Sequence, residues 1–127
     1  MKALFWIGRI LFSLIFIMSG LNHFGELEAM AEFASSKGIP APRLSTAASG
    51  VVILAGGLSI LLWWQVSIGA WLLIGFLVAA ALLVHDFWAV EDPRAKQTEL
   101  AHFMKNLSLA GAALMFFVLH QAPGLKS

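Results

Sequence analysis

Four long apolar blocks separated by polar segments of unequal length set out the plan of this chain. The blocks at 3–21, 44–64, 66–84 and 103–120 each approach the ~20 residues that a helix needs to cross a hydrocarbon core. The pattern predicts an all-α membrane protein, a four-transmembrane-helix antiparallel bundle forming one domain over 1–127. Alternating spans then place both termini on one side and the longer connections, 22–43 and 86–105, on the other. A cleaved signal peptide is the rival reading of the first block, but Arg9 interrupts it and no small-x-small cleavage pattern follows.

Finer periodicity assigns faces. Arg9, Ser13, Phe16, Gly20 and His23 recur at helical spacing on the first span, a mixture of polar and small residues suited to an interior rather than to lipid. Burying Arg9 at mid-bilayer would cost about 2.5 kcal/mol or more, which its position near the helix start reduces by snorkelling. On the second span Ser45, Ser49, Val52, Gly56, Ser59 and Trp63 share a face, with Gly57 beside Gly56. Gly75 and Ala79 form a small-xxx-small pair on the third span. Such residues let helix backbones approach closely in lipid, so Gly20, Gly56, Gly57, Gly75 and Ala79 are the expected packing positions. On the fourth span His102, Asn106, Leu109, Ala113, Phe116 and His120 align.

In the first loop Leu27, Met30, Ala31 and Phe33 predict the apolar side of a short amphipathic helix on the membrane surface, ended by Gly38, Pro40 and Pro42. In the second loop Pro93 is expected to stop a helix. Trp63 and Trp64 mark a headgroup-level aromatic belt, and a polar tail is expected over 121–127.

Composition supports lipid as the solvent. Apolar residues make up 60% and charged residues 12%, against about 25% charged in soluble domains. The net charge of +1 offers no field for nucleic acid. Absence of cysteine excludes thiol redox chemistry within the chain, including quinone-linked disulfide formation. Lys37, Arg43, Arg94, Lys96 and Lys105 outnumber Lys2, Arg9 and Lys126, which favours cytoplasmic loops. Each loop nevertheless carries more acids than bases, so orientation stays open.

The candidate chemistry gathers at the loop-side ends of the spans: Asn22, His23, Ser45, His85, Asp86, Trp88, His102, Lys105 and Asn106, with Arg9 toward the opposite face. Three readings stand side by side. The groups are satisfied by water and headgroups; or Lys105 pairs with Asp86 and locks two spans together; or they form a ligand or proton site. A quinone carbonyl needs a donor and a proton source beside apolar walls, which His85, Lys105 and Asn106 could provide. No metal site is expected, because the histidine spacing matches no metal-binding pair and cysteine is absent.

The strings GRILFSLIFIMSGLNHF, GIPAP, AGGLSILL and HDFW…FMKNLSLAGAAL, in that order, resemble the DoxX family of small bacterial membrane proteins. The resemblance implies a four-helix bundle in the bacterial inner (cytoplasmic) membrane. Name-giving members are associated with a thiosulfate:quinone oxidoreductase, and others are described as partners of redox proteins. Carried over, it highlights Arg9, Gly20, Gly56, Gly57, His85, Phe87, Trp88, Lys105 and Asn106. No intrinsic cofactor motif is present, so an accessory subunit binding quinone or another small apolar ligand, or anchoring a redox partner, is the leading expectation. A membrane scaffold or assembly factor without ligand and a small oligomeric transporter are the alternatives. Expected partners are the lipid bilayer, a redox protein and a second copy of the chain, with no nucleic acid. A pocket reaching His85 and Lys105, a solid interior, or an aqueous route to Arg9 would distinguish the three functions.

Overall fold

The computed structural model describes residues 1–122. It contains five α-helices: α1 (Lys2–Gly25), α2 (Leu27–Ser36), α3 (Pro42–Leu62), α4 (Val66–Leu83) and α5 (Pro93–Gln121), with a 3₁₀ turn at Phe87–Ala89. Among the described residues four helices are long and apolar enough to cross a membrane: α1, α3, α4 extended through the 3₁₀ turn, and α5. α1 packs on α3, α3 on α4 and α4 on α5, while α2 lies against α3 at the loop end. The protein is a multi-pass four-helix membrane bundle.

The buried residues of α1 are Arg9, Ser13, Phe16, Gly20 and His23. Polar residues concentrated on one face make that face readable. The apolar helices are less so. In α3 the buried stripe runs through Thr46, Gly50, Ile53, Gly56, Gly57, Ser59 and Ile60, so Ser45, Ser49 and Val52 sit at its margin. In α4 the expected pair is displaced: Gly75 and Ala79 face outward, and Gly69, Ala70, Leu73 and Leu77 make the contact. Both faces of α4 are apolar, so hydrophobicity cannot select between them in lipid.

Close approach explains two glycines. A Cβ on Gly56 would lie 2.6 Å from Leu73 Cγ and 3.1 Å from the carbonyl oxygen of Gly69. One on Gly20 would lie 2.5 Å from Leu54 Cγ and 3.2 Å from the Gly50 oxygen. Around these crossings Phe16, Ile53, Ile60, Leu73, Leu77 and Ala113 fill the interior.

Three ends are set by local chemistry. α2 closes with Gly38 at φ 76°, while Gly38 N–H donates to Ser35 O at 3.0 Å and Ile39 N–H to Ala34 O at 3.1 Å. This is the paired-bond termination that a left-handed residue permits. α3 ends in the same way, with Trp63 N–H on Ile60 O and Trp64 N–H on Ser59 O. Here, however, the left-handed residue is Trp63 at φ 56°, a conformation costly for a non-glycine residue. The Ser59 hydroxyl closes the turn, 2.6 Å from Trp64 O and 3.0 Å from Gln65 O.

The third end corrects an expectation. Pro93 starts α5 instead of stopping a helix, because Asp92 accepts a bond from Ala95 N–H at 3.0 Å and caps it. Proline suits the first turn, where its missing N–H has no partner to lose. The apolar block that begins near Phe103 is thus the inner part of a longer helix. In α2, Phe33 lies exposed, and Ala34 joins Ala31 in the buried face instead. Of the expected polar tail, Gln121 ends α5, and 123–127 lie outside the described residues.

Candidate functional site

The extra turns of α5 build the loop-side cluster. Glu99 stands three residues before His102, one helical turn away and on the same face. On the other side of the connection, the end of α4 delivers His85, whose N–H bonds to Ala80 O at 3.0 Å. The His85 Nδ1 then lies 2.9 Å from Glu99 Oε2. The His102 ring lies beside it, 5.0 Å away between centroids and tilted by 33°. The His85 and Glu99 side chains are 20% and 23% exposed, so the pair is shielded yet reachable.

An ion pair joins the two loops. Lys37, placed by the glycine termination of α2, donates to Asp86 Oδ1 at 2.7 Å. The Asp86–Lys105 pairing expected as one reading is therefore replaced by Asp86–Lys37. Lys105 is exposed and makes no ion pair among the described residues. Lys105 lies on the exposed side of α5, while Asn106, the next residue, is buried and reaches Leu77 O at 3.5 Å.

Apolar walls flank the imidazoles. Phe87 packs edge-on against Phe103 at 5.2 Å and against Trp88 at 5.2 Å, and Trp88 meets Phe103 at 5.9 Å. Trp88 is exposed, as an interfacial tryptophan should be. The remaining candidates stand apart. His23 is buried and its Nδ1 is satisfied within its own helix, 2.7 Å from Ser19 O. Asn22 is exposed, with only a 3.9 Å approach to Met30 Sδ.

At the opposite end Arg9 is enclosed by rings. Its guanidinium carbon lies 3.7 Å from the Trp6 centroid, 5.0 Å from Phe5 and 5.7 Å from Trp63. Between the two ends lie buried Phe16, Ile53, Leu73, Leu77 and Ala113. Two open grooves lie on the outer faces: one of about 490 Å³ between Trp71 of α4 and Phe117 of α5, and one of about 290 Å³ along Leu114, Met115 and Val118. Neither reaches His85 or Lys105, so neither is the pocket expected of a ligand site there, and the cluster offers a surface rather than an internal cavity.

The DoxX family model matches residues 4–86, well over half of the chain. The chain belongs to the DoxX family. The match spans α1 to α4 and includes Arg9, His85 and Asp86 of this DoxX protein; it stops before α5, which supplies Glu99, His102, Lys105 and Asn106. No curated protein and no solved structure matches the chain.

Sequence reasoning missed Lys37 and Glu99 as members of the cluster. For Glu99 a signal was present, since Asp-Pro at 92–93 is a cap followed by a first-turn proline. Starting the helix there puts Glu99 on the histidine face. Lys37 carried no comparable mark, because its partner lies in another loop.

Proposed function

We propose that this DoxX protein is an accessory membrane subunit that meets a quinone, or a similar small apolar carbonyl compound, at its loop-side surface beside a redox partner. The observation that carries the reading is the His85–Glu99 pair set next to His102 and the Phe87, Trp88 and Phe103 rings. A carboxylate on one imidazole nitrogen orients the ring and leaves Nε2 for a ligand. In the protonated ring both nitrogens donate, Nδ1 to Glu99 and Nε2 to a carbonyl oxygen. The aromatic edges supply the apolar wall that a quinone ring requires. Electrons come from the partner, since this chain's side chains carry none.

The same chemistry supports a placement in the bacterial inner membrane. Helical spans suit that bilayer, whereas outer-membrane proteins are built as closed barrels. A second reading, a scaffold without ligand, draws on the filled interior around Ile53, Leu73 and Ala113. Titration of the reconstituted protein with a short-chain quinone, read by tryptophan quenching, separates the two. Binding that weakens about tenfold in His85→Ala, the value of one charge-assisted hydrogen bond, supports the quinone site. Equal binding by wild type and His85→Ala removes it, and wild type that binds no quinone leaves the scaffold.

A further inference from the structure

Among the described residues the far end of the bundle holds a cation, Arg9, that pairs with no anion. Arg9 is 5% exposed, and Ser13, one turn further along the same face, is fully buried. Among the described residues neither Arg9 Nε nor Ser13 Oγ has a hydrogen-bond partner. Buried polar groups are nearly always paired, so two orphans on one helical face call for a partner.

The chain has no acidic side chain to offer at that end. All seven Asp and Glu residues fall between Glu26 and Glu99, on the loop side. Three aromatic rings surround the guanidinium. They supply cation–π attraction, but rings do not accept the fork of N–H bonds that a guanidinium presents. Phe5 and Trp6 lie one turn toward the N-terminus, the direction in which helical side chains lean. The guanidinium is therefore carried toward the terminal-side membrane surface. Trp6, 48% exposed, is the outer wall of the cage.

We propose that Arg9, with Ser13 behind it and Phe5, Trp6 and Trp63 around it, is a binding site for a phosphate-type oxyanion at the terminal-side surface. A phospholipid headgroup or free phosphate supplies the same chemistry. Two anionic oxygens match the planar fork of arginine better than they match a lysine. The site lies across the membrane from His85 and does not depend on the function proposed for that cluster.

The test uses the full chain purified in detergent, with native mass spectrometry to read what is retained. The probes are phosphatidylglycerol, diacylglycerol, which has the same tails without a phosphate, and inorganic phosphate. Wild type retains phosphatidylglycerol about tenfold over diacylglycerol, Arg9→Lys retains less, and Arg9→Gln loses the preference. Displacement of the lipid by inorganic phosphate assigns the site to the free anion; resistance to it assigns the headgroup. Equal retention of the two lipids by wild type together with no bound inorganic phosphate, or an unchanged preference in a folded Arg9→Gln protein, overturns the proposal. Because Arg9→Gln could fail to fold, wild type is also tested alone with bromine-labelled lipids. Stronger tryptophan quenching by the phosphatidylglycerol form is expected, and equal quenching by both lipids, together with no response to phosphate, overturns the site.

Discussion

His85 Nδ1 and Glu99 Oε2 lie 2.9 Å apart across the connection between α4 and α5. The contact exists because α5 begins at Pro93, well outside the apolar block, and brings Glu99 back over the end of α4. Both side chains are about one-fifth exposed, so water screens much of their attraction. A double-mutant cycle of His85→Ala and Glu99→Ala, read by unfolding in detergent, should return a coupling of about 0.5 kcal/mol. Strict additivity would show that the pair does not form.

The Lys37–Asp86 pair makes a contrast with Lys105. Lys37→Met should lower thermal stability in detergent by about 1 kcal/mol, the upper range for a partly exposed ion pair. Lys105→Met should leave the melting point unchanged, because Lys105 is exposed and holds no ion pair among the described residues. The reverse ranking would restore the Asp86–Lys105 pairing.

Glycines on opposite faces should respond differently. Gly56→Leu pushes a side chain into Leu73 and the backbone of Gly69, and a loss of about 2 kcal/mol is expected from overpacking. A Cβ on Gly75 would meet nothing within 4 Å and the residue is exposed, so Gly75→Leu should be nearly neutral in the monomer. A large loss at Gly75, measured together with oligomer size, would mean that a second copy covers that face.

The start of α5 offers a fourth measurement. Removing the Asp92 cap with Asp92→Ala should cost about 1 kcal/mol and speed amide exchange in the first turns of α5. If exchange at those amides does not change, the bond from Ala95 N–H to Asp92 does not hold the helix start.

The chain's own pattern determined the number of spans, the placing of both long loops on one common side and the inner face of α1. Span length follows from bilayer thickness, and the face of α1 is marked because Arg9, Ser13 and His23 interrupt an otherwise apolar surface. Tertiary structure decided the rest: the outward turn of Gly75 and Ala79, the replacement of Lys105 by Lys37 at Asp86, and the meeting of His85 with Glu99. Periodicity reports which residues share a helix face, but in lipid an apolar helix can present either face to its neighbours. Its rotation is set by close packing, such as Gly56 against Leu73, and that rotation selects which polar side chains meet at the ends.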